Sequence, residues 1–236
     1  MEVKTALDRT IVALDYPDLD SVKGFLDQFD YSIKEASPKF VKVGMELFYA
    51  AGPEIINYLK TKNLKIFLDL KVHDIPNTAF GAIRSLAGLG VDILNVHAAG
   101  GISMMRKAKE ALEGFDTKLI AVTILTSLDK SALNSELKIP GEIQDTVLAY
   151  ARNAYEAGLD GIVSSPLEAQ SIKEAISKDF ITVCPGIRFA DSNVQDQKRI
   201  ATPDWALANG CDYIVMGRAI TQAQNPSDAL LSLRGL

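Results

Sequence analysis

Short apolar runs rich in β-branched residues recur along this chain, each followed by a turn and a stretch with helical spacing. Residues 10–15 (TIVALD) form the first run, with a helical stretch over 18–29. Residues 40–44 (FVKVG) form the second, and its helix over 46–60 is interrupted at Gly52-Pro53. The third is 65–72 (KIFLDLKV), followed by a helix over 77–89. The fourth is 92–98 (DILNVHA), with a helix over 102–112. A fifth run at 119–125 (LIAVTIL) leads through a polar loop past Pro140 to a helix over 143–157, which Gly158 ends. Runs at 161–165, before Pro166, and at 181–186 and 212–217 complete the series. Eight strand–helix pulses without a change of composition predict a closed (β/α)8 barrel, with residues 1–236 as one domain. A doubly wound open sheet is the alternative that the same alternation allows.

The third run departs from a purely apolar pattern. In a strand, Ile66, Leu68, Leu70 and Val72 line one face, while Phe67, Asp69 and Lys71 line the other. A parallel strand is covered on both faces, so charges held there must be paired. Asp74 follows, completing an Asp-x-Lys-x-x-Asp pattern in which a cation lies between two anions, an arrangement suited to a fixed proton donor. The same residues are also compatible with a structural ion pair, and Asp74 with a helix N-cap ahead of Pro76.

A barrel places its chemistry at the C-terminal ends of its strands, and polar residues gather there: Asp15, Lys42, Asp69, Lys71, His97 and Thr126. CPGIR (residues 184–188) and MGRA (216–219) put Gly217 and the arginines Arg188 and Arg218 after the last two strands, where such barrels hold phosphate. The polar stretch 188–202 lacks apolar periodicity and reads as a lid, with Gln197 foremost among the side chains that could close over a phosphate. His73 and His97 are read as structural, His97 as a hydrogen-bonding support; Trp205 and the Met104-Met105 pair are read as packing.

With 47% hydrophobic and 23% charged residues, the chain can bury a sizeable core. A net charge of -5 and the lack of any long Lys/Arg cluster argue against a nucleic-acid surface. No run is long enough to span a bilayer, and the opening Met1-Glu2-Val3-Lys4 lacks the apolar character of a signal peptide, so a cytoplasmic location is expected. Cys184 and Cys211 lie far apart in sequence without CxxC spacing, which argues against a metal site or disulfide framework and for small buried hydrophobes in a reducing compartment.

Taken together, ALD (13–15), VKVG (41–44), DLKVHDIPNT (69–78), LTS (125–127), PGIR (185–188), DQKR (196–199) and MGR (216–218) resemble the orotidine 5'-monophosphate decarboxylase family of the bacterial, stand-alone type. The resemblance spans nearly the whole chain. It implies conversion of orotidine 5'-monophosphate to uridine 5'-monophosphate, the last step of de novo pyrimidine nucleotide synthesis, without metal or cofactor. It further implies that Lys71 delivers a proton to C6 and that Asp69 sits against the departing carboxylate. Lys42 completes an alternating charge chain with Asp69, Lys71 and Asp74, the last supplied by the neighbouring subunit of a homodimer. Asp15 and Lys42 would hold the ribose hydroxyls, and Thr78 would reach the ligand from across the dimer. Thr126 and Ser127 would touch the pyrimidine, while Gln197, Gly217 and Arg218 grip the phosphate, with Arg188 nearby. The rival within the same superfamily is a Mg2+-dependent sugar-phosphate aldolase or decarboxylase such as hexulose-phosphate synthase. A phosphate-ligand binder that has lost its chemistry is a second alternative, against which the crowded charge set argues.

Overall fold

The computed structural model describes residues 5–33, 35–190 and 201–235. Eight parallel strands close into a barrel in sequence order: β1 (Thr10–Leu14), β2 (Phe40–Gly44), β3 (Lys65–Val72), β4 (Ile93–His97), β5 (Lys118–Val122), β6 (Gly161–Val163), β7 (Ile181–Cys184) and β8 (Tyr213–Met216). β8 returns to pair with β1, so no strand edge remains open. The crossovers carry α1 (Leu19–Leu26), α2 (Met45–Ala51), α3 (Pro53–Thr61), α4 (Pro76–Ala87), α5 (Gly101–Glu110), α6 (Lys130–Ser135), α7 (Ile143–Glu156), α8 (Pro166–Ala175) and α9 (Pro203–Ala208). After β8 come α10 (Arg218–Thr221) and α11 (Pro226–Leu231). This is the expected (β/α)8 architecture. No helix among the described residues is long and apolar enough to cross a membrane.

Local chemistry accounts for the helix starts. Asp18 accepts a hydrogen bond from the Ser21 amide at the head of α1, and Ser165 forms a capping box with Glu168 ahead of α8. The interruption at Gly52-Pro53 separates α2 from α3: Gly52 takes a φ of +58°, and Pro53 starts the next helix.

The floor of the barrel repeats one device three times. Gly90-Val91-Asp92, Gly158-Leu159-Asp160 and Gly210-Cys211-Asp212 precede β4, β6 and β8, and each glycine has a positive φ, at 71°, 81° and 92°. The turn lets the aspartate carboxylate reach back to the amide of Ile66, Leu119 or Thr182 on the preceding strand, at 2.8 Å in all three cases. Each aspartate also donates its own backbone N–H to the carbonyl of that same residue. Register is therefore set at the bottom of the barrel. Lys109 and Lys173 pair with Asp160 and Asp212 and tie the helical layer to this floor.

Inside the barrel, Ile11, Ala13, Phe40, Phe67, Ile93, Ile120, Val183 and Val215 fill the centre, while a larger apolar layer lies between strands and helices. Met104 and Met105 are buried in that outer layer, as is the free thiol pair Cys184 and Cys211. Trp205, expected as packing, is 41% exposed on α9. Two residues beyond the inner ring along their strands stand Asp15, Lys42, Asp69 and Asn95, so period-2 alternation carries the apolar plug directly into a polar mouth.

Several strands end earlier than their apolar runs suggest. β5 stops at Val122 rather than Leu125, because its ladder with β6 ends at the Val122–Val163 pair and the Thr123 amide and hydroxyl both turn to the Val163 carbonyl. β6 stops at Val163 rather than Ser165, whose side chain is occupied as the cap of α8. The polar stretch after Arg188 is pinned at its stem, where the Arg188 amide donates to the Ala201 carbonyl at 3.0 Å. Residues 191–200, and with them Gln197 and the lid reading, lie outside the described residues.

Candidate active site

At the C-terminal mouth a cavity of about 280 Å3 is lined by Asp15, Lys42, Asp69, Lys71, Arg188, Gly217 and Arg218. Ile124, Leu125, Thr126, Val163 and Pro185 add a largely apolar wall. Eight of the residues singled out from sequence, Thr126 among them, thus meet in one place. Asp74, Thr78 and Ser127 are exposed and do not line the cavity in a single chain.

The four charges alternate in sign. Lys42 Nζ lies 2.9 Å from Asp15 Oδ1 and 3.5 Å from Asp69 Oδ2, and Lys71 Nζ lies 2.7 Å from Asp69 Oδ1. Burial pushes the Lys42 ammonium down, but the carboxylates of Asp69 and Asp15 on either side outweigh it and hold its pKa above the usual lysine value. Gly44 keeps this crowding possible, since a Cβ there would come within 3.3 Å of Lys42 Nζ and 3.4 Å of Asp15 Oδ1.

Asp69 follows Phe67 into the cavity by alternation, but Lys71 joins it there through a backbone distortion. The ladder between β3 and β4 runs Phe67–Ile93 and Leu68–Leu94, then resumes only at Val72–Val96, so Asp69, Leu70 and Lys71 stand opposite the single residue Asn95. This is a bulge of three residues against one beside the mouth cavity. Within it Lys71 has a φ of +52°, a left-handed conformation that costs about 1–2 kcal/mol for a residue carrying a Cβ. Asn95, which sequence reasoning passed over, fills the gap: its side-chain amide donates to Asp69 Oδ1 at 2.7 Å and its side-chain carbonyl accepts the Lys71 N–H at 2.8 Å. One polar residue inside the apolar run of β4 was the available signal.

Asp74 does not cap α4, whose N-cap is Ile75 without a side-chain bond; its carboxylate instead accepts the Ile75 amide at 2.7 Å. The N-cap alternative is thereby removed. In place of the hydrogen bond expected of it, His97 stacks on His73 with ring centroids 5.4 Å apart, and its Nδ1 is buried without a partner among the described residues.

Burial, reinforced by His73 and Lys71, holds the His97 pKa below the usual histidine value. The unfolded chain therefore takes up this proton at a higher pH than the folded one. The contribution is fully present above the unfolded pKa and drains away as pH falls below it. Melting temperature should thus fall less between about pH 7 and about pH 5.5 in His97→Gln than in the parent, as scanning calorimetry across that range would measure.

Among the described residues, no group of three or more His, Cys, Asp or Glu is placed to hold a metal ion. The orotidine 5'-phosphate decarboxylase / HUMPS family model matches residues 8–233. The chain belongs to this family. Two curated members are similar over almost their full length: the orotidine 5'-phosphate decarboxylase of Streptococcus gordonii is 51% identical over 94% of both chains. That of Lactococcus lactis subsp. cremoris is 48% identical over 96% of this chain and 97% of its own. The crystal structure of orotidine 5'-phosphate decarboxylase from Lactobacillus acidophilus superposes with a TM-score of 0.83 at 39% identity, covering 96% of this chain and 97% of that one. Of the residues that carry the family resemblance, Asp15, Lys42, Asp69, Lys71, Thr126, Arg188, Gly217 and Arg218 line the mouth cavity, whereas Asp74, Thr78 and Ser127 do not.

Proposed function

We propose that the protein removes the carboxylate of orotidine 5'-monophosphate as CO2 to give uridine 5'-monophosphate, with Lys71 as proton donor and without metal or cofactor. The observation that carries this reading is the Asp15–Lys42–Asp69–Lys71 chain at the barrel mouth, which lines one cavity together with Arg188 and Arg218. A cation-rich wall for the phosphate and an ammonium held by a carboxylate for the reacting carbon suit the two ends of one nucleotide.

When the C6–carboxylate bond breaks, its electron pair stays on C6 as a vinyl carbanion. Without an electron sink, barrier lowering depends on charges already in place when the negative charge develops. The Lys71 ammonium supplies one, then gives its proton to C6 and becomes a neutral amine that recovers a proton from water. Asp69 aims Lys71 through the 2.7 Å contact, and in this reading it sits against the departing carboxylate. Asp15 and Lys42 hold the ribose hydroxyls, Thr126 and Ser127 the pyrimidine, and Arg188, Gln197, Gly217 and Arg218 the phosphate. Binding energy from that remote phosphate organises the reacting end, so loss of the grip should reduce turnover as well as affinity.

The reading includes a homodimer in which Asp74 and Thr78 enter the neighbour's cavity. Both are exposed on one chain, beside Ile75 at 68% exposure, an apolar side chain that a second subunit would cover. Free, buried Cys184 and Cys211 fit a reducing cytoplasmic setting.

The direct test follows the ultraviolet absorbance of orotidine 5'-monophosphate after addition of purified protein in excess EDTA. Loss of the substrate spectrum at an undiminished rate is expected. Turnover that stops on chelation and returns with Mg2+ would favour the metal-dependent branch of the superfamily instead.

A further inference from the structure

Asn95 takes no part in the function as set out so far, yet it is only 1% exposed and spends its whole side chain on the Asp69–Lys71 pair. Its two bonds differ in sense. A carboxylate only accepts and a backbone N–H only donates, so the amide nitrogen must face Asp69 and the amide oxygen must face Lys71. No other side chain of this size offers one donor and one acceptor in that arrangement. Aspartate would keep the acceptor but turn a second negative charge on Asp69, and leucine would offer neither.

The place is equally specific. Asn95 is the one β4 residue opposite the three bulged residues of β3, and the Lys71 N–H that it binds belongs to the residue in the left-handed conformation. It does not itself line the cavity, whereas Asp69 and Lys71, to which it bonds, do. We propose that Asn95 is a positioning residue for decarboxylation: it holds the bulge open and fixes Asp69 and the Lys71 backbone in one rigid unit, so that the ammonium is presented to the reacting carbon. This rests on the reading of Lys71 as proton donor. Asp69 Oδ1 then accepts from both Lys71 Nζ and Asn95 at 2.7 Å, which leaves its direction no freedom.

The test compares the parent, Asn95→Leu, Asn95→Asp and Lys71→Ala in steady-state decarboxylation across pH, with affinity for uridine 5'-monophosphate measured separately. Asn95→Leu should lower kcat by about 100-fold or more while product affinity stays within about threefold. Asn95→Asp should be impaired near neutral pH and regain kcat as pH falls. The introduced carboxyl, facing Asp69 and Lys71 with His97 on its own strand, would once protonated donate the bond the amide had supplied. A merely structural residue would lower melting temperature and product affinity together and leave the pH profile in place. A kcat within about threefold of the parent in Asn95→Leu, or an Asn95→Asp profile parallel to the parent's, overturns the proposal; should the leucine variant not fold, the near-isosteric aspartate variant decides alone. Undiminished turnover in Lys71→Ala would instead overturn the proton-donor reading.

Discussion

Replacing Lys71 by alanine should lower kcat on orotidine 5'-monophosphate by at least about 10^4-fold while the protein still binds uridine 5'-monophosphate. Proton donation by a placed side chain is worth about 10^2–10^4 in rate, and a preorganised charge beside a developing anion about 10^2–10^3. Lys71 would supply both to one carbon. Arg188 and Arg218, the proposed phosphate grip, follow β7 and β8, which do not pair with β3, and should keep their positions, so product affinity should change by no more than about tenfold. Asp69 does not become an isolated buried charge, because Lys42 at 3.5 Å and the Asn95 amide at 2.7 Å remain beside it. The variant should therefore fold, and calorimetric titration with product can be set against a sensitive turnover assay. Turnover within about tenfold of the parent would remove Lys71 from the chemistry.

The second large effect concerns sharing between subunits. Asp74→Asn alone and Lys71→Ala alone should each be inactive as homodimers. Mixed and allowed to exchange, they should recover roughly one quarter of parental activity. Random pairing makes half of the dimers mixed. Each mixed dimer has one cavity with both defects and one with an intact Lys71 from one subunit and an intact Asp74 from the other. If Asp74 served its own chain, every cavity in the mixed dimer would carry one defect and nothing would be regained. Subunit exchange is checked independently by native mass measurement, so absence of recovery after proven exchange counts against the shared cavity.

How far these residues could be read in advance depended on how local their causes are. The eight strands were legible because a buried parallel strand is an uninterrupted β-branched run, and Thr10–Leu14, Phe40–Gly44 and Lys65–Val72 stand out as such. Strand ends were not: apolar character continues through Ile124 and Leu125, which leave the ladder to form the cavity wall. The short helices α6 and α11 went unforeseen, although Asp129 and Asn225 cap them by ordinary local bonds, because six residues give too little periodicity to detect. The three Gly-x-Asp turns beneath β4, β6 and β8 were not singled out, because their meaning lies in carboxylates reaching a neighbouring strand.

From the order of residues alone came the ring of strands, the Asp-x-Lys-x-x-Asp pattern, and the placing of Lys42, Arg188, Gly217 and Arg218 at one end of it, since each follows from periodicity along a short segment. The folded chain alone decided how Asp69 and Lys71 come to share a cavity. A straight strand would put them on one face by alternation, whereas here the chain bulges and Lys71 turns left-handed against an asparagine 24 residues further on. Side-chain period is a property of the backbone nearby; a bulge is held open by whatever the neighbouring strand offers, and closure of the barrel is what brings that neighbour into place.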